Sequence, residues 1–125
     1  MEPVKIGILG LGTVGSGTVN VLTRNADEIQ RRAGRAIRVV HAAARDLKRK
    51  RNCPTDGIRL TADPQEVVND PEVEVVVELM GGYEPARTLV LDAIAHGKHV
   101  VTANKALLAH HGTEIFAAAH AKGVM

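Results

Sequence analysis

The chain has 125 residues, 45% of them apolar and 24% charged, with 16 Lys and Arg against 14 Asp and Glu for a formal net charge of +2. These values suit one globular domain with a buried core and exclude a disordered or fibrous chain. No apolar run reaches the roughly 18 residues of a membrane span, the start Met1-Glu2-Pro3 lacks a basic secretory n-region, and the lone Cys53 fits a reducing compartment, so a cytoplasmic location is expected. Val4 to Leu9 is a short β-branched run bounded by Pro3 and Gly10, which predicts a buried parallel strand. It leads into Gly10-Leu11-Gly12-Thr13-Val14-Gly15, and from Val14 the positions Val14, Thr18, Val19 and Leu22 share one helical face. Asn25 and Asp27 offer a break and a new N-cap before a helix from Glu28 to Ala33, closed by Gly34. Ile37 to Ala44 reads as the second strand, followed by the charged surface segment Arg45 to Arg51.

Further on, Ile58 to Thr61 is a short third strand, and Asp63-Pro64-Gln65-Glu66 starts a short helix to about Asn69 with an N-cap, a first-position proline and a first-turn acid. Val73 to Leu79 is the densest β-branched run and predicts the fourth strand, ended by Gly81-Gly82. Pro85 opens a helix whose apolar positions Ala86, Leu89, Val90, Ala93 and Ile94 face one way, up to Gly97. His99 to Thr102 is the fifth strand, Asn104 caps a helix through Leu107 and Leu108, and a separate helix runs from about Thr113 to Lys122 before Gly123. A further strand is expected next, so the chain reads as truncated before the last strand. Strands alternating with helices predict an α/β fold: a Rossmann-like, doubly wound parallel sheet with helices on both faces and right-handed crossovers, forming a single dinucleotide-binding domain over 1–125.

Charge is distributed unevenly, since residues 1–62 carry 12 basic and 5 acidic side chains while residues 63–125 carry 4 and 9. A basic half attracts phosphates. Gly10, Gly12 and Gly15 match the dinucleotide fingerprint, with the strand before and the helix after that it requires. The first glycine permits the tight turn, the second lets backbone amides reach a pyrophosphate, and the third lets helix and strand pack closely. Gly17 lies outside the fingerprint and is expected as a small residue at a crowded helix–sheet contact. At the end of the second strand, where an acid selects NAD, stands Arg45, which pairs instead with a 2′-phosphate and favours NADP over NAD. Lys105 sits in the first turn of its helix, the unfavourable end of the macrodipole for a cation, so a ligand or substrate role is expected for it. It shares the carboxyl edge of the sheet with Gly81, Gly82 and Thr102, which complete the expected cofactor contacts. His110, His111 and His120 lack partners at metal-ligand spacing, so no metal site is expected, and Cys53 reads as an incidental thiol. Only Tyr83 and Phe116 are aromatic, too few for a nucleic-acid stacking platform.

The run from Ile8 to Gly17, the run Val101-Thr102-Ala103-Asn104-Lys105-Ala106-Leu107-Leu108-Ala109, the segment Asp70 to Gly82 and the strand end Val39 to Asp46 together resemble homoserine dehydrogenase across almost the whole chain. The resemblance implies NAD(P)-dependent interconversion of L-homoserine and L-aspartate 4-semialdehyde, on the branch toward threonine, methionine and isoleucine. It implies that Thr13 and Val14 belong to the pyrophosphate loop, that Arg45 faces the adenosine phosphate, and that Lys105 is the catalytic lysine at the nicotinamide and substrate side. It also implies a small-molecule substrate, no nucleic acid or membrane partner, and a homo-oligomer for the complete enzyme. The family's other catalytic groups, substrate-binding region and cation site fall after Met125, so this piece alone is expected to bind nucleotide and turn over little substrate. Three other readings stay open from sequence: a nucleotide-sensing module without chemistry, a dehydrogenase for a related amino or hydroxy acid, and a nucleic-acid contact through residues 45–51.

Overall fold

Residues 6–9 and 75–77 are apolar or glycine on successive rather than alternate positions, and in the computed structural model both runs lie inside one sheet covered on two faces. The structure describes residues 4–10, 13–34, 36–44, 58–80, 84–102 and 104–124. In order these form β1 (Val4–Leu9), α1 (Thr13–Arg24), α2 (Ala26–Ala33), β2 (Ile37–Ala43), β3 (Arg59–Thr61), α3 (Pro64–Asn69), β4 (Val75–Glu78), α4 (Ala86–Ala95), β5 (His99–Thr102) and α5 (Lys105–Lys122). The strands pair in the order β3-β2-β1-β4-β5, every ladder parallel. This is the expected doubly wound sheet, and its winding reverses between β1 and β4; ligands of such sheets bind outside the carboxyl ends of the strands at that point. No described helix is long and apolar enough to cross a membrane.

Two core layers flank the sheet. Leu9, Ala43, Val67, Val68, Val76, Leu89 and Ala93 fill the face covered by α3 and α4, while Ile6, Ile8, Val19, Val39 and Ala42 fill the face under α1. A third cluster joins α4 to α5 through Ala86, Val90, Ile94, Leu107 and Ile115. All five positions of the expected apolar stripe on α4 are buried.

The close approach of helix to sheet falls at Gly7, in the middle of β1. A Cβ there would lie 2.5 Å from Val67 Cγ1 and 3.1 Å from Val73 Cγ1, so α3 seats directly on bare backbone. Gly17, expected at such a contact, is exposed, and a Cβ on it would meet nothing within 4 Å among the described residues. It faces solvent because Val19 and Leu22, not Gly17, carry α1 onto the sheet. Gly7→Ala is therefore expected to destabilise the fold by about 1–3 kcal/mol through overpacking, and Gly17→Ala to stabilise it by a few tenths to about 1 kcal/mol. Urea unfolding of the two variants measures both.

Local signals act largely as expected. The Asp63 side chain accepts the Gln65 N–H at 3.0 Å, and Gly34 (φ 76°) and Gly123 (φ 72°) stop α2 and α5. Asn25 separates α1 from α2 by another route: its side-chain amide donates back to Val21 O at 3.1 Å and makes no cap bond to α2. Pro85 contributes no cap either, and Glu84 does so instead, accepting the Thr88 N–H at 3.0 Å and the Thr88 hydroxyl at 2.6 Å. The Thr88 hydroxyl holds the Glu84 carboxyl below its ordinary value.

A further expectation fails. The two helices foreseen over 105–122 are a single helix, α5, that passes through Gly112 unbroken. A mid-helix glycine costs only about 1 kcal/mol, and Leu107 and Ile115, eight residues apart, press the same face onto α4 on either side of it. Arg87 on α4 also reaches Glu114 on α5 at 2.5 Å.

At the amino edge of the sheet a buried polar cluster ties the crossovers together. His41 Nδ1 donates to Asp70 Oδ2 at 2.8 Å, and the other oxygen of Asp70 accepts the Glu72 N–H at 2.9 Å. The Lys98 ammonium, 6% exposed, donates to the Asp70 and Val73 carbonyl oxygens at 2.6 and 2.7 Å. Burial pushes the Lys98 ammonium below its ordinary value, and the Asp70 charge partly offsets this.

Candidate functional site

The carboxyl end of β1 turns through Gly10, whose φ of 100° is a conformation that side chains rarely adopt. A Cβ at Gly10 would stand 3.1 Å from the Leu79 carbonyl oxygen and 3.2 Å from Met80 Cγ, so β1 and the chain leaving β4 meet over bare backbone. Two hydrogen bonds fasten this meeting: Gly10 N–H donates to Ala43 O at 3.0 Å and Leu79 N–H donates to Leu9 O at 2.9 Å. Three residues after Gly10, α1 begins at Thr13, and Val14 and Gly15 lie in its first turn. The first N–H groups of that helix have no intrahelical acceptor, which is the arrangement that takes a phosphate.

Beside this turn stands the end of β4. Glu78, the last residue of the strand, has no exposure. Its Oε2 accepts the Met80 N–H at 2.7 Å and its Oε1 accepts the Thr102 hydroxyl at 2.6 Å. Thr102 Oγ1 in turn accepts the Asn104 N–H at 3.0 Å, and Asn104 Oδ1 caps α5 by accepting the Leu107 N–H at 3.0 Å. Lys105 opens α5 at that cap, on the same edge as Gly10.

Of the residues singled out from sequence, the structure thus brings Gly10, Thr13, Val14, Gly15, Thr102 and Lys105 to the carboxyl edge. Gly12, Arg45, Gly81 and Gly82 lie outside the described residues. Glu78 was missed, although an acid inside a strand that is apolar on both faces is itself a signal, since a buried carboxylate must be paired. Thr102 was read as a cofactor contact, and its hydroxyl is engaged with Glu78.

A depression of about 770 Å³ opens at the opposite, amino edge, lined by Val4, Asn69, Pro71, His96 and Lys98 among others. Ligands of doubly wound sheets sit outside the carboxyl ends, so the turn at Gly10 outweighs this depression as the candidate site.

The residues present fit a dinucleotide: the turn at Gly10 has no room for a side chain, and a helix starts directly behind it, where the first N–H groups have no intrahelical acceptor. Comparison with known proteins agrees. A family model described as homoserine dehydrogenase, NAD binding domain, matches residues 10–125. The homoserine dehydrogenase of Pseudomonas aeruginosa is 62% identical over 125 residues, all of this chain and 28% of the relative. The crystal structure of a homoserine dehydrogenase from Thiobacillus denitrificans superposes with a TM-score of 0.92 at 61% identity, covering 100% of this chain and 29% of that one. That of S. aureus homoserine dehydrogenase gives 0.91 at 40% identity, covering 99% of this chain and 31% of that one. The chain therefore spans about 26–28% of the length of these curated relatives.

Proposed function

Because the chain belongs to the homoserine dehydrogenase NAD-binding domain family, we propose that it holds NAD(P) for the interconversion of L-homoserine and L-aspartate 4-semialdehyde in an oxidoreductase of amino-acid biosynthesis. The observation that carries this reading is the turn at Gly10, at the point where the sheet reverses its winding, with a helix N-terminus directly behind it.

The roles follow from position. Gly10 and Gly12 let the backbone approach the pyrophosphate, and the first-turn amides of α1 around Thr13, Val14 and Gly15 donate to it. Arg45, directly after Ala44 at the end of β2, pairs with a 2′-phosphate and gives preference for NADP over NAD. Gly81 and Gly82, which follow β4 in sequence, let the backbone approach the cofactor closely. Lys105, the catalytic residue of this chain, orients the substrate and moves a proton at the reacting oxygen. When bound, the nicotinamide supplies or accepts the hydride. The substrate is a small molecule, the complete protein is a homo-oligomer, and its location is the cytoplasm.

Calorimetric titration with NADPH and NADH at one salt concentration tests the reading. NADPH is expected to bind more tightly. Arg45→Ala should weaken NADPH by roughly tenfold to hundredfold, the equivalent of about 1.5–3 kcal/mol for charged hydrogen bonds, and leave NADH nearly unchanged. Equal loss for both nucleotides would refute the 2′-phosphate role, and binding of neither would refute the cofactor site.

A further inference from the structure

We propose that Glu78 is a positioning residue that locks the start of α5, and with it Lys105, to the end of β4. The catalytic meaning of this lock rests on the function proposed above; the lock itself stands on geometry.

Glu78 and Thr102 are register partners at the last step of the β4–β5 ladder. Beyond them no further β4–β5 pair is formed among the described residues, and side chains continue the connection. Four hydrogen bonds run in series: Met80 N–H to Glu78 Oε2 at 2.7 Å, Thr102 Oγ1–H to Glu78 Oε1 at 2.6 Å, Asn104 N–H to Thr102 Oγ1 at 3.0 Å, and Leu107 N–H to Asn104 Oδ1 at 3.0 Å. One carboxylate thereby sets both the chain that leaves β4 for residues 81–83 and the first turn of the helix that begins with Lys105.

Packing does not explain an acid here. Val75, Val76 and Val77 precede it in the same strand, and a fourth apolar residue would fill a fully buried position without the desolvation cost of a carboxylate. What an apolar residue lacks is two acceptor oxygens, one for a backbone N–H and one for a hydroxyl. With both oxygens so engaged and no exposure, Glu78 does not reach substrate. It acts through Lys105, and the contribution of that lysine depends on its placement to within a fraction of an ångström.

Glutamine separates this role from that of a charged participant. The Gln oxygen accepts the Met80 N–H, its amide donates to Thr102 Oγ1, and that oxygen keeps a lone pair for the Asn104 N–H, so the lock survives without the charge. In the full-length protein, Thr102→Val and Glu78→Leu are expected to lower kcat for homoserine oxidation by roughly tenfold to hundredfold. Thr102→Ser and Glu78→Gln should recover most of it and keep the NADPH dissociation constant within about threefold of wild type, because both preserve the lock. In the nucleotide-free protein, amide hydrogen exchange at Asn104 and Met80 should quicken in Thr102→Val and Glu78→Leu and stay slow in Glu78→Gln. Unchanged exchange at both amides in Thr102→Val and Glu78→Leu overturns the lock. Wild-type kcat in Thr102→Val, or a Glu78→Gln as impaired as Glu78→Leu while its exchange stays slow, overturns the positioning role. Wild-type protein that binds NADPH without oxidising homoserine refutes the proposed reaction instead, and the exchange measurement then still decides whether the lock exists.

Discussion

Gly10→Ala is expected to weaken NADPH and NADH alike by about a hundredfold or more, the broadest loss of any single substitution at the nucleotide site. The backbone at Gly10 has φ 100°, and holding a non-glycine residue in such a region costs about 1–3 kcal/mol. The new methyl also presses on the Leu79 carbonyl oxygen at 3.1 Å and carbon at 3.2 Å, which are backbone atoms pinned by the Leu79 N–H to Leu9 O bond. Relief requires β1 and the end of β4 to separate, which displaces the start of α1 that follows Gly10. Apparent affinity falls by the fraction of molecules that keep the competent turn, so about 3 kcal/mol of strain becomes about two orders of magnitude. Calorimetry checks the affinity. Because the damage would fall on the proposed pyrophosphate turn, its expected pattern differs from that of Arg45→Ala, which should distinguish the two nucleotides. A Gly10→Ala protein with wild-type affinity would show that the turn does not carry the phosphates.

Asp70→Ala is expected to cost about 3–5 kcal/mol of stability, the range for breaking one side of a buried pair. Removal of this carboxylate deprives His41 Nδ1–H and the Glu72 N–H of their acceptors, and His41 Nε2 is already buried with no hydrogen-bond partner in the described structure. Lys98, buried against the Asp70 and Val73 carbonyls, loses its nearby countercharge as well. The exposed Arg59, 3.7 Å from Asp70, makes a far weaker contribution, and Arg59→Ala should cost under about 1 kcal/mol. Urea unfolding at neutral pH orders the two variants.

Acid adds a second signature of the same residue. Burial on its own would raise the Asp70 carboxyl, but the Glu72 N–H, the His41 ring and the charges of His41 and Arg59 outweigh it and hold the group below its ordinary value of 3.8. A carboxyl lowered on folding contributes stability that is complete above that ordinary value and disappears as pH falls through the lower, folded one. The wild-type midpoint in urea should therefore drop more steeply below pH 3.8 than that of Asp70→Asn. Parallel curves would remove Asp70 from the acid response.

Much of this was readable along the chain because the signals are local. A β-branched run between breakers makes a strand wherever it lies, and the apolar spacing of Ala86, Leu89, Val90, Ala93 and Ile94 makes a helix with one buried face. Asp63 and Asn104 cap their helices through bonds to residues two and three positions away. Gly10 belongs to a motif whose strand and helix are its immediate neighbours, so the turn between β1 and α1 was legible from sequence alone.

Contacts between residues distant in sequence decided the rest. Whether a glycine is needed depends on what packs over it: Gly7 is bare because Val67 of α3, sixty residues on, lies on it, while Gly17 turned out to face open space. The continuity of α5 through Gly112 comes from the face that α4 offers to Leu107 and Ile115. Glu78 is visible along the chain only as an acid in an apolar strand; its partner Thr102 lies on β5, and only the parallel pairing of the two strands brings the hydroxyl to the carboxylate. Periodicity and capping act within a few residues and can be read in one dimension, whereas burial and long-range hydrogen bonds exist only once the sheet has brought distant segments together.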